Sequence, residues 1–476
     1  MLSNMGSAWV ASLLLLLSAS ADAASLKVDL SSIASIKAGA KVVARNMMAY
    51  YHGDEPGQTI GILPGPPSAE NLNQYYWWEA GAMWGTLLDY WHYTGDSTYN
   101  PKITQAVAFQ ADGPTGWRFQ PLNWTASLGN DDQGFWGMTA LLAAELNFPD
   151  PVAKDVPGWL EMAQAVFNAQ APRFTDDYCM GGIRWQVSSF NGGYNYKNTI
   201  ANAIFFNMGA RLARYTDNNT YADWAVKSWD WMAGLSYIDK HYNVFDGGDI
   251  ENNCTQIHDV QFSPNAAVLI QGAAMMYNHT GAAIWKTRVN GLVNRTLDHF
   301  FPNGIMVERA CELESKMQCN IDQHSFKGYM HRALATAALV GPPELQTLVF
   351  KYLTSSTAGC VTSCLDDGTC GFRWTIGKYD NDVDDGPAGQ QMSALAALST
   401  VLLTLDIASV KPPVTNTTGG TSKGDPDAGN NAPDVFAPLP VTTAGRGGAG
   451  FLTAFVLASM MGAFVWMAFG WSEGSP

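Results

Sequence analysis

Apolar residues recur three and four positions apart along most of the chain, and strict alternation of apolar and polar positions is nearly absent. The first spacing is typical of helices that bury one face, and the second would indicate strands. Turn signals such as Gly95-Asp96 and Gly341-Pro342-Pro343 separate the periodic segments. The pattern predicts eleven or twelve helices, which cover residues 38–51, 76–93, 133–146, 158–169, 198–215, 221–235, 264–277, 282–300, 325–339, 343–353 and 387–405.

The predicted helices follow one another as antiparallel hairpins. A dozen helices over this length fit an all-α, closed double ring, the (α/α)6 toroid, and the sequence shows no fixed repeat period that would indicate an open solenoid. In such a ring the inner helices are apolar nearly all round. We therefore expect one large domain in which the loops at one end form the substrate funnel.

The N-terminus predicts a signal peptide over residues 1–23. An apolar run centred on Leu13 to Leu17 precedes the small-residue exit Ala21-Asp22-Ala23, and the run is too short to cross a bilayer comfortably. A retained signal anchor is the alternative interpretation. We expect the mature chain to begin near Ala24.

Composition changes once within the mature chain, at Val410-Lys411-Pro412-Pro413, where Thr, Gly, Asn and Pro replace the apolar periodicity. This break predicts a catalytic-size domain over 24–409 and a disordered stalk over 410–450. The hydrophobic segment 451–476 has no Lys or Arg after its apolar part, which favours a cleaved GPI signal over a spanning helix. Candidate attachment residues are Asn430, Asn431, Ala444 and Gly445.

The net charge of −15 and the pI of about 4.8 exclude nucleic acid as an expected partner, because phosphate binding needs clustered Lys and Arg. An acidic, extracellular setting fits better, and glycosylation sequons spread along the chain agree with it. The sequons begin at Asn123, Asn218, Asn253, Asn278, Asn294 and Asn416.

Seven cysteines lie in the mature chain, so at most six can pair with one another in an oxidising compartment. Cys311 with Cys319 would close a short loop, and Cys179 with Cys254 would form a long-range bridge. Cys370 could pair with Cys360 or with Cys364. One thiol is left over, and the spacings do not predict a zinc site.

The predicted loops are rich in aromatic residues. Aromatic faces stack on the apolar faces of sugar rings, while Asn, Asp and Gln bind the hydroxyl groups, so this composition suggests a carbohydrate ligand. The alternative is that most of these side chains belong to the core. The aromatic residues are Tyr75, Tyr76, Trp77, Trp78, Trp117, Trp124, Trp185, Tyr194, Tyr196 and Trp374.

Two adjacent carboxylates, Asp131 and Asp132, open the predicted helix 133–146. At a helix start such a pair can simply be an N-cap and a partner of the helix dipole. Here Gly, Phe, Trp and Gly follow within a few residues, which indicates burial, where two carboxylates are costly unless they are used. Adjacent short side chains favour the spacing of about 5 to 5.5 Å found in retaining glycosidases.

Other acidic pairs lie in apparent turns, where solvated loop residues are the expected explanation. The run from Asp380 to Gly386 is similar to a calcium loop, but its glycine is displaced by one position and Gln391 replaces the bidentate Glu. The dispersed histidines indicate neither a metal site nor a triad. We expect no metal and no cofactor.

The chain resembles glycoside hydrolase family 76, the endo-α-1,6-mannanases, and in particular its fungal GPI-anchored branch. The matching segments occur in the family's order from about residue 35 to 405. They are Tyr76-Trp77-Trp78-Glu79-Ala80-Gly81, Asn130-Asp131-Asp132, Gly181-Gly182-Ile183-Arg184-Trp185-Gln186, Tyr194-Asn195-Tyr196-Lys197-Asn198-Thr199, Cys311-Glu312, Asp322-Gln323-His324-Ser325-Phe326-Lys327 and Gly389-Gln390-Gln391-Met392.

The resemblance implies an (α/α)6 fold and a retaining mechanism with Asp131 as nucleophile and Asp132 as acid/base. For the fungal branch it implies cutting the mannose-containing glycan of GPI-anchored proteins and transferring the remnant to cell-wall β-1,6-glucan. Pro264 before Asn265 departs from the family's usual aromatic-Asn ending. The residues expected to bind substrate are Trp78, Asn130, Trp185, Asn195, Tyr196, Asn198, Asn265 and Trp374.

Three functions follow from these observations: a cell-surface α-mannosyl transglycosidase, a plain endo-α-1,6-mannan hydrolase, and a glycan-binding surface protein without catalysis. The first is favoured, and both carboxylates argue against the third. We expect a monomer that reaches the cell wall or plasma membrane through a GPI anchor and acts on α-mannosyl glycans, GPI-anchored proteins and wall glucan.

Overall fold

The structure is a computed structural model that describes residues 25–68, 74–124, 127–312, 318–380, 387–432 and 443–469. The predicted signal peptide, the acidic run 381–386 and part of the predicted stalk lie outside the described residues. The helices are α1 Ile33–Met48, α2 Trp77–Thr94, α3 Asn100–Ala111, α4 Asn130–Glu145, α5 Trp159–Gln170, α6 Thr199–Thr216, α7 Asn219–Gly234, α8 Ser263–Thr280, α9 Ala283–Phe300, α10 Phe326–Val340, α11 Leu345–Thr362, α12 Ala388–Thr400 and α13 Thr443–Phe469.

Six of these helices form a closed inner ring. Helix α2 packs on α4, α4 on α6, α6 on α8, α8 on α10 and α10 on α12, and α12 returns to pack on α2. Helices α1, α3, α5, α7, α9 and α11 pack against the ring from outside, each on an inner helix. This arrangement confirms the predicted (α/α)6 toroid.

The inner helices are buried on nearly every face, in agreement with their largely apolar sequences. Every residue of α12 is buried, whereas α9 in the outer layer buries a stripe that includes Trp285, Val289 and Leu292. Close packing in the ring depends on small residues. A β-carbon at Gly81 of α2 would lie 2.8 Å from the indole of Trp136 on α4, so only glycine lets these helices approach so closely.

Helix α3 is absent from the predicted set. Its buried positions include Ile103, Val107 and Gln110, and the rest are alanines, so its apolar stripe is weak. The helix is held mainly by its packing on α2 and α4. A small antiparallel sheet also forms near the start of α6, from strands β1 Tyr196–Asn198, β2 Gly247–Asp249 and β3 Ile257–His258.

Residues 410–432, which we name the C-terminal strap, run in irregular conformation against the helices, although the sequence assigns them to a disordered stalk. The Val414 amide donates to the carbonyl of Glu145 at 2.7 Å, and the Leu160 amide donates to the Ser422 hydroxyl at 3.0 Å. Ala428 is only 5% exposed. The packed unit therefore extends past the predicted boundary at residue 409, because hydrogen bonds to the backbone and to polar side chains hold this segment without apolar periodicity.

Helix α13 belongs to a separate unit that begins at Asp434. Its segment Arg446–Ala468 is long and apolar enough to cross a membrane, judged by length and composition. The observation is compatible with either form of membrane attachment considered for this segment.

Three disulfide bonds join Cys179 to Cys254, Cys311 to Cys319 and Cys364 to Cys370. The sequence leaves Cys360 and Cys364 as possible partners of Cys370, and the structure pairs Cys370 with Cys364. Cys360 keeps a free thiol and is buried. Two of the bonds brace loops at the end of the ring where the inner helices α6, α8 and α10 begin.

Candidate active site

A cavity of about 330 Å³ opens at the end of the ring where the inner helices start. This end is called the catalytic end below. The N-terminal turns of α2, α4, α8 and α10, together with β1, supply its wall. The wall includes Trp78, Asp131, Asp132, Phe135, Trp185, Tyr196, Asn198, Asp246, Phe262, Asn265, Asp322 and Phe326.

The first turn of α4 brings two carboxyl groups to the cavity floor. Gly129 is the N-cap, and Oδ2 of Asp132 accepts a hydrogen bond from its amide at 2.9 Å, as in a capping box. A β-carbon at Gly129 would overlap carboxyl oxygens of both Asp131 and Asp132. The two groups thus face the same small space, and Asp132 caps the helix while it lines the cavity.

Asp131 accepts two N–H hydrogen bonds, one on each oxygen. The indole Nε1 of Trp185 donates to Oδ2 at 2.8 Å, and the Asp132 amide donates to Oδ1 at 3.0 Å. Trp185 is itself held by its backbone, which accepts from the Asn130 amide at 2.8 Å and donates to the Tyr196 carbonyl at 2.7 Å. These bonds fix the Asp131 carboxyl in a single orientation.

Burial dominates the electrostatics of the pair. Burial, followed by repulsion from Asp132, raises the pKa of Asp131 well above its usual value. Burial also raises the pKa of Asp132 to about 6, against the opposing effect of the Gly129 amide. It is costly for two carboxylates this close to be charged at the same time. The pair therefore holds one proton in mildly acidic solution.

Two further carboxyl groups stand beside the pair. Trp78 donates from Nε1 to Oδ1 of Asp322 at 3.1 Å, and burial raises the pKa of Asp322 to about 7. Glu79 is fully buried, with one oxygen accepting from the Tyr76 amide at 2.8 Å, and burial followed by repulsion from Asp322 raises its pKa well above normal. The site is therefore a cluster of four carboxyl groups rather than two.

The sequence signal for these additional groups was present but carried no assigned role. Glu79 and Asp322 lie in segments that match the resembled family, yet a single carboxylate in a helical or loop segment has many ordinary explanations. Only the ring closure, which gathers the starts of α2, α4 and α10 around one cavity, places both near Asp132.

The opposite wall presents an ordered phenol and carboxylate. The Tyr196 hydroxyl donates to Oδ2 of Asp246 at 2.7 Å, and burial raises the pKa of Asp246. Pairing of β1 with β2 fixes the position of Tyr196, and Asn198 ends β1 and caps α6 by accepting from the Ala201 amide. Asn265 is buried beside them in the first turn of α8.

Five of the eight residues predicted to bind substrate line the cavity: Trp78, Trp185, Tyr196, Asn198 and Asn265. They share a position at or just before the start of an inner helix or in the loop that precedes it. Because the starts of the inner helices lie at one end of the ring, the five residues meet there, as the expected funnel of loops at one end requires.

The other three predicted residues lie elsewhere. Asn130 is buried behind the pair, where its side chain donates to the Arg184 carbonyl at 2.9 Å. Asn195 instead donates to Glu251 at 2.7 Å, outside the cavity wall. Trp374 is 1% exposed and packs in the core against His331. Hydrogen bonds in the loops and core packing account for these three side chains.

Comparison with known proteins identifies close relatives. Residues 35–417 match the sequence model of Glycosyl hydrolase family 76. Mannan endo-1,6-alpha-mannosidase DCW1 of Saccharomyces cerevisiae is 40% identical over 451 residues, which cover 93% of this chain and 95% of the relative. Mannan endo-1,6-alpha-mannosidase DFG5 of Candida albicans is 38% identical over 470 residues, which cover 96% and 98%.

A solved structure of a related protein has the same fold. Dfg5 from Chaetomium thermophilum, in complex with glucosamine, superposes with a TM-score of 0.79 at 46% sequence identity. The match covers 85% of this chain and 97% of that chain. The shared fold includes the ring that positions the cavity.

Proposed function

Because the chain belongs to glycosyl hydrolase family 76 and is a glycoside hydrolase, we propose that it is a retaining enzyme that cleaves α-mannosyl linkages at the fungal cell surface. The observation that carries this proposal is the pair Asp131 and Asp132 on one helical turn, facing one space at the floor of an aromatic-lined cavity.

In the proposed first step, Asp131 attacks the anomeric carbon of a mannosyl unit and forms a covalent ester. Asp132 donates its proton to the oxygen of the departing sugar, which leaves as an alcohol. Asp132, now ionised, then removes a proton from the incoming hydroxyl group as that oxygen displaces Asp131. The second step regenerates both carboxyl groups and restores the α configuration.

Hydrogen bonding supports this division of roles. Asp131 accepts two N–H bonds, from the Trp185 indole and the Asp132 amide, whereas Asp132 accepts one from the Gly129 amide. Donors to a carboxylate stabilise its charged form, so the negative charge of the pair is favoured on Asp131. With the charge on Asp131, the shared proton that the leaving group needs is on Asp132.

The substrate class is inferred from the relatives and from the charge of the cavity. DCW1 and DFG5 are named for α-1,6-mannan cleavage, and Dfg5 from C. thermophilum holds glucosamine. The amino group of such a sugar can donate to the side-chain oxygens of Asp322 and Asp246 in the cavity wall, and its positive charge would favour the ionised form of both carboxyl groups. This match favours the glycan of a GPI anchor, which contains an amino sugar, over plain mannan.

We further propose that the acceptor in the second step is cell-wall β-1,6-glucan, so that GPI-anchored proteins are transferred to the wall. A GPI anchor attached after removal of the segment 451–476 would keep the enzyme at the plasma membrane. Whether water or a sugar hydroxyl displaces Asp131 decides between hydrolysis and transfer, and the same carboxylates serve both.

Product analysis tests the proposal. The protein is incubated with defined α-1,6-mannosides, with and without an amino-sugar terminus, in the presence of a β-1,6-glucan acceptor, and the products are identified by mass spectrometry. We expect mannosyl–glucan products that are absent with Asp131→Asn. Products of water attack alone would refute transfer and leave the hydrolase. A wild-type protein that binds these glycans but yields no product would refute catalysis.

A further inference from the structure

The C-terminal strap crosses the domain from one end of the ring to the other. It begins at the end opposite the cavity, where the Val414 amide bonds to the carbonyl of Glu145. Glu145 is the last residue of α4, and Asp131 and Asp132 lie in the first turn of the same helix. The first part of the strap therefore lies about one helix length from the catalytic pair.

The strap then follows α5 back towards the catalytic end. Helix α5 runs antiparallel to α4, since Gln170 at its end donates to the Asn130 carbonyl at 2.7 Å. Ser422 bonds to Leu160 in the first turn of α5. Further along, Asn168 in its last turn donates to the carbonyl of Ala428 at 2.9 Å. Residues 422 to 428 thus climb the length of this helix.

The last described residue of the strap reaches the catalytic end itself. A β-carbon at Gly116 would overlap the methyl group of Ala432, so these residues are in direct contact. Two residues after Gly116, the Arg118 carbonyl accepts a hydrogen bond from Gln133 at 2.8 Å, and Gln133 follows Asp132 in the chain. The described part of the strap thus ends at the catalytic end of the ring.

We propose that membrane anchoring tethers this enzyme by its catalytic end, so that the cavity mouth faces the lipid surface. The proposal rests on the anchoring suggested above. Of the candidate attachment residues, Asn430 and Asn431 directly precede Ala432 at the catalytic end, and Ala444 follows Ala432 by twelve residues. An inner helix of 18 residues is about 27 Å long, and Ala432, the last described residue of the strap, is at the catalytic end, so the catalytic end is the end of the domain nearer to this point.

Exposed apolar side chains at the catalytic end support a lipid surface as the partner. In the loop that precedes β1, Phe190 is 97% exposed and Met180 is 75% exposed, and neither lines the cavity. Tyr178 and Val260, also exposed, lie in segments that precede inner helices. Large apolar residues that protrude around a mouth are suited to the interface between water and lipid.

This orientation restricts the substrate. A cavity that faces the bilayer at short range meets glycans attached to lipids before it meets polymers further out in the wall. The tether would thereby raise the effective concentration of membrane-linked glycans at the cavity.

Energy transfer between a label on the domain and labelled lipids tests the orientation. The full anchored chain, purified from fungal cells, is reconstituted in phosphatidylcholine vesicles that carry rhodamine headgroups. A donor dye is placed on Phe190→Cys at the catalytic end or, as the matched control, on Val152→Cys, a fully exposed loop residue after α4 at the opposite end. Cys360 is buried and should remain unlabelled.

We expect at least twofold higher transfer efficiency from position 190 than from position 152. Equal transfer, or higher transfer from position 152, would overturn the orientation. Turnover of a soluble aryl α-mannoside by the same vesicles tests the proposed function separately. If the vesicles are active but positions 190 and 152 show equal transfer, only the orientation is refuted. If transfer differs as expected but the vesicles are inactive, the orientation is supported and the result counts against the proposed function.

Discussion

The indole nitrogen of Trp185 donates a 2.8 Å hydrogen bond to Oδ2 of Asp131. The two residues lie 54 positions apart, and a backbone bond between Asn130 and Trp185 locks the loop to the helix start. The proposed nucleophile is thus oriented by an aromatic side chain that also lines the cavity. This bond links the loop sequence directly to the chemistry.

Trp185→Phe should lower kcat by about 10- to 100-fold, because a hydrogen bond to a charged group is worth about 1.5 to 3 kcal/mol. The aromatic surface for sugar stacking is largely kept, so KM should change less. Steady-state kinetics on an aryl α-mannoside measures both constants. Trp374→Phe is the matched control, since Trp374 lies in the core, and should affect stability rather than kcat. Equal kinetic losses in both variants would contradict the positioning role.

Asp131→Asn and Asp132→Asn should each reduce turnover at least 1,000-fold, because the two groups act as a unit. Removing one buried charge relieves repulsion, so the melting temperature should stay constant or rise. Turnover and thermal unfolding are measured on the same preparations. A marked loss of stability in both variants, with substantial turnover left, would support helix capping as the main role of the pair.

Much of the fold could be predicted from the sequence because the inner helices are apolar on all faces and the turn signals between hairpins are strong. Helix α3 was missed because its buried positions are mainly alanine and Gln110, which leave little periodic signal. The strap was missed for a different reason. Its contacts are isolated hydrogen bonds that involve the backbone, such as Val414 with Glu145 and Ser422 with Leu160, and these leave no periodic pattern of apolar side chains.

The candidate site was predictable only where the chemistry is local. Asp131 and Asp132 are adjacent, so their meeting needs no tertiary information. Asp322 reaches the cluster only because the ring gathers the starts of α2 and α10 around one cavity, where Trp78 donates to it. Trp374 shows the converse: a loop tryptophan looks like a sugar platform in sequence, yet it fills the core.

Asp322→Asn should stabilise the protein at neutral pH and not at acidic pH. Folded Asp322 keeps its proton up to a pKa of about 7, whereas an unfolded aspartate loses it near pH 4. Between pH 4 and pH 7 the folded state binds a proton that the unfolded state has lost. The contribution of Asp322 to the free energy of unfolding therefore falls as pH rises through this range. The asparagine oxygen can still accept from Trp78.

Thermal unfolding at pH 4 and pH 7.5 measures this difference. We expect the variant to be more stable than the parent by about 1 to 3 kcal/mol at pH 7.5 and equal to it at pH 4. Asp155→Asn, at an exposed loop position, should leave stability unchanged at both values. A variant that is less stable than the parent at pH 7.5 would show that the Asp322 charge is stabilising.

Removing the strap should destabilise the domain. A chain that ends after residue 432 keeps the bonds of Val414, Ser422 and Asn168, whereas a chain that ends after residue 409 loses all of them. Each such bond contributes about 0.5 to 1.5 kcal/mol, so we expect the three together to account for a loss of about 1.5 to 4.5 kcal/mol in urea unfolding. Equal stability of the two chains would mean that residues 410–432 act as the stalk that the composition predicts.

The stereochemistry of the first-formed product tests the central claim most directly. Asp131 and Asp132 face one space at the Gly129 N-cap, which suits direct attack by a carboxylate and leaves little room for an intervening water. Proton NMR of the anomeric region, recorded early in the cleavage of an α-1,6-mannoside and before mutarotation, should show the α anomer. An initial β product would contradict the retaining mechanism.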